Sequence, residues 1–416
     1  MASDVQPTSH PSSPAELARR RFVGPLPRLP SSRRWLAPGL VCALFAATLA
    51  AVILGDPFPT SRAAVDQDVF HLPAVRGFAQ EWPTFDLTSY SSATTPGYHI
   101  ALATAAQVVG TSETVMRLLG AVFAVALVGL TAGYVRRRGC SWLETVLLAL
   151  PLAVSLYTFS SGAWLLPDDA AWLAVLGILI IALGPTRRAW LFGGVVLLAL
   201  VLVRQNQIWA IAPLMASAWI GDEVTESRSL RESLLARPWP RIRRSLAVFA
   251  AALPAVSALV AFVLLWDGFV PPVGEVNAGG NPAMPVLVLA LAGVFGTLFG
   301  GYLWWYGAVF RDGRRSGLVG VAATFGVLLS ALPEATYDME AGRWTGLWEV
   351  AGRLPTVGDH SLLMVALAGL GAAWISPGRS PSRLATLLCG WSRGSVSPPR
   401  APRPRTHGSA TSSRSS

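Results

Sequence analysis

The sequence predicts an all-α integral membrane protein with about ten transmembrane helices and both termini on the cytoplasmic side. The composition is the first reason, because 52% of the 416 residues are hydrophobic and 13% are charged. In a soluble domain about a quarter of the residues are charged. The second reason is that four apolar blocks without Asp, Glu, Lys or Arg are long enough to cross a hydrocarbon core of about 30 Å. These blocks are Leu36–Gly55, Leu118–Val135, Thr145–Leu166 and Leu246–Trp266.

The placement of the basic residues is the third reason. The net charge is +10, and most arginines stand in the termini and in short connections between apolar blocks, as the positive-inside bias requires. This pattern favours membrane lipids, and not nucleic acid, as partners. Cys42, Cys140 and Cys389 have no metal-ligand spacing and none lies in a long outer loop, so neither a zinc site nor a disulfide framework is expected.

The chain divides into a transmembrane domain with a polar segment on each side. Residues 1–34 are rich in Ser, Pro and Arg and are expected to form a disordered cytoplasmic N-terminus before a first helix that is retained. Residues 35–376 form the transmembrane domain. Residues 377–416 are typical of a disordered basic cytoplasmic tail, whose arginines either stay solvated or contact anionic headgroups.

The arginines that must lie inside determine the order of the first crossings. Leu36–Gly55 leads outward and the arginines at 136–138 lie inside, so one crossing at Leu118–Val135 separates these arginines from the first outer loop. Gly97–Val109 is apolar but short. We therefore expect it to form a helix that lies along the outer surface.

The remaining crossings follow from the same rule. Ala189–Ile220 would be about 48 Å long as one helix, which is too long for a single span. We expect two short helices instead, broken near Arg204–Gln207, with the break facing outward. The other crossings are predicted at Thr145–Leu166, Ala170–Gly184, Leu246–Trp266, Val286–Phe310, Leu318–Leu332 and Ser361–Ile375.

This topology gathers acidic, amide and aromatic side chains on the outer face. Charges at membrane depth are costly and are kept for function or for pairing with one another. Taken singly, the same side chains have structural interpretations: Asp68 as a helix N-cap, His71 as an interfacial hydrogen-bonding group, and Asp168, Asp169 and Arg204 as helix-end charges among headgroups. The clusters are Asp66–Pro73, Pro167–Asp169, Arg204–Trp209, Trp266–Gly268 with Gly279–Pro282, and the loop 333–360 that includes Arg343.

The order of these clusters resembles the dolichyl-phosphate-glucose-dependent α-1,2-glucosyltransferases of N-glycan assembly, members of the membrane GT-C superfamily. The D-E-x-F-H-x-P motif of that family is matched by Gln67–Pro73, and its T-T-x-P-G-x-Y stretch is similar to Thr94–Tyr98. The acidic residue before its fourth helix corresponds to Asp169, R-Q-T-N-x-x-W resembles Arg204–Trp209, and a Gly-rich outer loop is similar to Gly274–Pro282. The resemblance covers roughly residues 65–285. It departs from the motif at Gln67, so Asp66 or Asp68 must supply the carboxylate.

The resemblance implies a GT-C type fold, with surface-lying helices in the first outer loop, and an inverting hexosyl transfer. A hexose, glucose in the family, would pass from a polyprenyl-phosphate sugar to a hydroxyl of a glycan or lipid-linked glycan at the outer face of the plasma membrane. Asp68 would act as the base, with Asp66 as its alternate, and Asp169 would orient the acceptor or assist the base. Arg204 or Arg343 would clamp the lipid phosphate. The implied substrate-binding set is His71, Arg204, Gln205, Asn206, Trp209, Asn281 and Arg343. No cofactor is expected, and no metal is required because arginines can neutralise one phosphate, although the outer carboxylates leave a divalent ion open.

Two other function classes remain open. A transporter or flippase of a lipid-linked saccharide would use the same charges to carry an anionic headgroup, but the polar residues cluster on one face instead of lining a path. A non-catalytic assembly protein of the envelope is the second class, and Asp68, Asp169 and Arg204 argue against it. The sequence separates neither the donor sugar nor the acceptor.

Overall fold

The computed structural model describes residues 35–138, 140–184, 189–220, 238–272, 284–305, 313–331, 347–357 and 360–375, and these are mostly helical. The helical class predicted from the apolar composition is therefore confirmed. The predicted termini, 1–34 and 377–416, and the predicted site residues Asn281 and Arg343 lie outside the described residues.

The helices follow the predicted segments closely in the first two thirds of the chain. In chain order they are α1 (Leu36–Gly55), α2 (Arg62–Asp66), a π turn (Gln67–His71), α3 (Leu72–Glu81), α4 (Gly97–Val109), α5 (Glu113–Arg137), α6 (Trp142–Ala153), α7 (Leu156–Ala163), α8 (Asp168–Ala182), α9 (Ala189–Val203), a 3-10 turn (Gln205–Ala210), α10 (Ile211–Ile220) and α11 (Pro238–Trp266). After these come α12 (Met284–Trp305), α13 (Gly313–Ala331), α14 (Leu347–Gly352), an antiparallel pair of short strands, β1 (Thr356–Val357) and β2 (His360–Ser361), and α15 (Leu362–Ile375).

Three of the described helices, α1, α5 and α11, are long and apolar enough to cross a membrane, and α6 with α7 makes a fourth if the pair is one span. Only 17% of the most apolar window of α11 is buried inside the protein. Most of its apolar surface is thus free to face lipid tails, as expected of a membrane helix. The coarse prediction of a membrane protein is supported, whereas the ten crossings and their orientation remain a prediction.

The predicted crossing Thr145–Leu166 is a bent pair of helices and not one straight helix. Helices α6 and α7 meet at an angle of 67°. Pro151 lies inside the last turn of α6, where a proline ring removes one backbone hydrogen bond and clashes with the preceding turn. The segment after the bend reaches Gln67, to which the Leu165 N–H donates.

The predicted surface helix, α4, has the predicted bounds. Its buried side chains join those of α3 in one apolar core that also includes side chains of α5 and α11. The members of this core include Val75, Phe78, Tyr98, Leu102, Met116, Leu165 and Trp266. Burial of one large apolar side chain contributes roughly 1.5–3 kcal/mol, so this core is sufficient to hold α3 and α4 against the long helices.

The predicted break between α9 and α10 is confirmed. Helix α9 ends at Val203, Arg204 is extended with φ −155° and ψ 102°, and a 3-10 turn follows. The Thr95 hydroxyl donates to the Val201 carbonyl at 2.6 Å, which satisfies one of the free carbonyls at the end of α9. The segment before α4 therefore docks where α9 stops.

Candidate functional site

The site begins in a π turn inserted between α2 and α3. The Ser61 hydroxyl caps α2 by accepting from the Ala64 N–H at 3.2 Å, so Asp68 is not the N-cap of a surface helix. Within the turn, Gln67 and His71 are buried, whereas Asp68 is exposed. Single π turns inside helices are frequent at functional sites, and the sequence pattern does not signal this one.

Gln67 connects three segments. Its Nε2 donates to the Asp68 Oδ1 at 3.0 Å and to the Glu113 Oε1 at 2.9 Å, and its Oε1 accepts from the Leu165 N–H at 3.1 Å. A carboxylate at this position could accept from the Leu165 N–H but could donate to neither the Asp68 nor the Glu113 carboxylate. The departure from the family motif at Gln67 therefore suits a structural connector, and the acidic side chains on either side of it are Asp66, the last residue of α2, and Asp68.

Asp66 lies beside a buried chain of hydrogen bonds. Its Oδ2 is 3.6 Å from the His71 Nε2, and the Asp66 side chain is about half exposed. The His71 Nδ1 is 2.8 Å from the His99 Nε2, and the His99 Nδ1 is 2.6 Å from the Tyr90 hydroxyl. Burial, and secondly the neighbouring His71, lower the pKa of His99 well below its usual value. The sequence analysis included His71 but neither His99 nor Tyr90.

Arg204 and Asp168 form an ion pair at the same end of the helices. Arg204 follows the last turn of α9, and Asp168 stands in the first turn of α8, where the helix dipole favours a negative charge. Burial lowers the pKa of the Arg204 guanidinium, and the negative charge of Asp66 opposes this shift. Arg204 thus interacts with the charges of both Asp168 and Asp66.

Asp169 is a buried carboxyl group with one oxygen left unpaired, and burial raises its pKa to about 8. Its backbone N–H donates to the Ser161 hydroxyl at 3.1 Å, while its Oδ2 has no hydrogen-bond partner among the described residues. The side chain is 2% exposed. Because buried polar atoms are almost always paired, this oxygen marks Asp169 as a candidate functional group, consistent with its place in the predicted site.

The other predicted binding residues divide into one buried amide and two exposed side chains. Gln205 is buried, and its amide binds backbone only: Nε2 donates to the carbonyls of Ala93 at 3.0 Å and Phe269 at 3.2 Å, and Oε1 accepts from the Thr95 N–H at 3.0 Å. Asn206 and Trp209 are exposed on the 3-10 turn. In this structure Gln205 therefore braces the loop before α4, whereas Asn206 and Trp209 are open to a ligand.

Arg117 is a buried arginine that the sequence analysis did not select, and it connects Asp56, Glu113 and Ala163. The Arg117 Nη1 is 2.9 Å from the Asp56 Oδ1 and 3.5 Å from the Glu113 Oε1, and its Nε donates to the Ala163 carbonyl at 2.9 Å. Arg117 lies within a helix that reads as an apolar crossing from Leu118 onward. A charge placed at such a boundary resembles any helix-end arginine, so the sequence carries no signal of its role.

Among the described residues, no group of three or more His, Cys, Asp or Glu side chains is arranged to hold a metal ion. The described side chains at this site are carboxyl groups, imidazoles, amides and a guanidinium. Comparison of the chain with protein-family models, with curated proteins and with solved structures finds no match.

Proposed function

We propose that the protein is a membrane glycosyltransferase that moves a hexose from a polyprenyl-phosphate donor to an acceptor hydroxyl at the outer face of the membrane. The observation that carries the proposal is the arrangement of Asp66, His71 and Arg204. A half-exposed carboxylate lies 3.6 Å from a buried imidazole, and its charge acts on a guanidinium that stands at a helix break. The site therefore offers a base and a phosphate-binding cation close together.

The proposed reaction is a single displacement at the anomeric carbon. Asp66 removes the proton of the acceptor hydroxyl as the new C–O bond forms. The bond from the sugar to the phosphate breaks, and the lipid phosphate leaves with its electron pair. Arg204 stabilises the additional negative charge of that phosphate, because a guanidinium can bind phosphate oxygens through two parallel hydrogen bonds. Inversion at the anomeric carbon follows from one displacement without a covalent intermediate.

The geometry favours Asp66 over Asp68 as the base. Asp68 accepts from the Gln67 amide and is exposed, whereas Asp66 lies 3.6 Å from His71 and its charge acts on Arg204. Asp169, with an unpaired buried oxygen, is the candidate for orienting the acceptor. Apolar helices such as α11, which leave most of their surface unburied, would give the polyprenyl chain a lipid-like path to the site.

The test is sugar transfer by purified protein in nanodiscs, with labelled polyprenyl-phosphate glucose, mannose and arabinose as donors and a host extract of lipid-linked glycans and polysaccharides as acceptors. Asp66→Asn and Asp68→Asn form a matched pair, since each removes one carboxylate next to Gln67 without changing the size of the side chain. We expect Asp66→Asn to reduce the rate at least 100-fold and Asp68→Asn to reduce it less than tenfold, because general-base catalysis is worth about 100- to 10,000-fold.

Three results would change this proposal. A large loss in Asp68→Asn with a small one in Asp66→Asn would assign the base to Asp68. Survival of transfer in both variants would move the base to Asp169. If the folded, lipid-bound protein transferred no sugar from any donor, the transport of a lipid-linked saccharide would become the better account, and it would be measured as translocation of the same labelled lipids across vesicles.

A further inference from the structure

The ends of α1 and α5 that lie away from the candidate functional site carry a group of arginines. Both helices are long and apolar enough to cross a membrane. Arg117, near the start of α5, pairs with Asp56, directly after α1, so the two helices run antiparallel. The 20 residues of α1 span roughly 30 Å. The start of α1 and the last turn of α5 therefore lie together at the other membrane surface, where α5 ends in Arg136 and Arg137 with Arg138 as its C-cap.

Arg137 is held over an indole ring that belongs to the neighbouring helix. Trp35 is the N-cap residue of α1, and its ring lies against the backbone of α5, since a Cβ added at Gly133 would be 3.4 Å from the Trp35 Cζ3. Gly133 and Arg137 are one turn apart on the same face of α5. The Arg137 Cζ lies 5.8 Å from the centre of the Trp35 ring, within the range of a cation–π contact. Arg137 is also exposed, so its N–H groups can still bind an anion.

The two arginines beside Arg137 are ordered by contacts within the same helix end. The Arg136 Nη1 donates to the Cys140 carbonyl. The Arg138 Cζ lies 5.2 Å from the centre of the Tyr134 ring, and its Nη2 donates to the Tyr134 hydroxyl at 3.0 Å. Side chains that are already ordered lose less conformational entropy when they bind a ligand. The three guanidinium groups thus form a preorganised cationic surface.

The charge and the exposed indoles of this surface suit a membrane interface. Residues 133–145 contain three arginines and one acidic residue, Glu144, so their net charge is +2. The Glu144 Oε2 accepts from the Ser141 N–H and closes the capping box of α6. Trp35 and Trp142 are 52% and 49% exposed, and indole rings are enriched at the level of lipid headgroups. The surface therefore combines ordered cations with interfacial aromatic rings.

We propose that Trp35 and Arg136–Arg138 form a binding site for the headgroup of an anionic phospholipid, such as phosphatidylglycerol, in the leaflet that the positive-inside bias makes cytoplasmic. The lipid phosphate has two free oxygens, which one guanidinium can bind through two parallel hydrogen bonds. A zwitterionic headgroup brings its own cation next to the phosphate, so a surface of charge +2 attracts it less. The site is independent of the proposed sugar transfer, because it lies at the other membrane surface.

Photocrosslinking in nanodiscs tests this site without any sugar donor. The full chain is reconstituted in phosphatidylcholine that contains a trace of phosphatidylglycerol with a diazirine on its headgroup, and the labelled peptides are identified by mass spectrometry. Phosphatidylcholine with the same diazirine is the control lipid. We expect phosphatidylglycerol to label the start of α1 and residues 134–143 at least fivefold more than phosphatidylcholine does, because one arginine near a membrane surface strengthens the binding of anionic lipid roughly fivefold.

Two matched pairs of variants assign the effect to named side chains. Arg137→Gln and Arg76→Gln each remove one exposed arginine, but Arg76 belongs to α3, on the side of the candidate functional site. We expect Arg137→Gln to lower the labelling ratio of the two lipids about fivefold and Arg76→Gln to leave it unchanged. Trp35→Leu should also lower the ratio, because Arg137 loses the ring that positions it. Trp172→Leu removes an indole that is 48% exposed on α8 and should have no effect.

The proposal is overturned if the two lipids label these segments equally, or if Arg137→Gln changes the ratio no more than Arg76→Gln does. It is also overturned if the preferred labelling by phosphatidylglycerol falls only on other segments of the chain. A protein that shows the expected labelling but transfers no sugar would keep the lipid site and lose the glycosyltransferase proposal. The two proposals therefore fail separately.

Discussion

The brace formed by Gln205 gives a sharp test of how the site is held in place. The amide of Gln205 joins three backbone groups that are distant in sequence, those of Ala93, Thr95 and Phe269. Gln205→Leu keeps the volume but removes all three hydrogen bonds and leaves the buried Thr95 N–H without a partner. A typical hydrogen bond contributes about 1 kcal/mol, and a stranded buried donor costs about 1–3 kcal/mol. We expect the variant to lose about 3–5 kcal/mol of unfolding free energy.

The control for this variant lies two residues further along the chain. Gln207 is an amide in the same 3-10 turn, and its Oε1 is buried with no hydrogen-bond partner among the described residues. Gln207→Leu should therefore be neutral or slightly stabilising. Thermal unfolding of both variants in detergent, followed by tryptophan fluorescence, checks this comparison. If the two variants had equal unfolding midpoints, or if Gln207→Leu lost more stability, Gln205 would not brace the loop before α4.

Two further predictions concern the surface helices and the buried imidazole. A Cβ added at Gly97 would lie 2.6 Å from the Leu202 carbonyl oxygen, whereas one added at Gly77 meets nothing within 4 Å. Gly97→Ala should therefore cost about 1–3 kcal/mol and Gly77→Ala should stabilise by up to about 1 kcal/mol; equal thermal shifts would contradict the close docking of α4 on α9. For His99, burial lowers the pKa in the folded state, so below about pH 6.5 the unfolded chain takes up a proton that the folded chain refuses. The unfolded state then binds more protons, and stability should fall as the pH falls, by at most about 1.4 kcal/mol per pH unit. A scan of the unfolding midpoint from pH 7.5 to 5 should show a steeper loss in the parent than in His99→Gln, and parallel curves would show that His99 takes up protons in the folded state.

Several elements could be predicted from the sequence because their causes are local. A charge-free apolar run of helical length is a property of consecutive residues, so α1 begins and ends at the predicted Leu36 and Gly55. The bounds of α4 and the break at Arg204 followed from length and charge placement. At Thr145–Leu166 the same rules located the apolar segment but not the bend between α6 and α7. The length of an apolar run does not show that Pro151 bends the backbone.

The candidate site shows where local reasoning stops. The sequence by itself determined the class of the chain and the few segments that carry acidic, amide and basic side chains. Spacing could not choose between Asp66 and Asp68, because the sequence pattern does not signal the π turn that begins between them. Only the tertiary structure paired His71 with His99, 28 residues away, and Thr95 with Gln205, 110 residues away. Apolar periodicity reports which residues avoid water, whereas hydrogen-bond partners depend on the docking of distant backbone segments, which no single window of sequence contains.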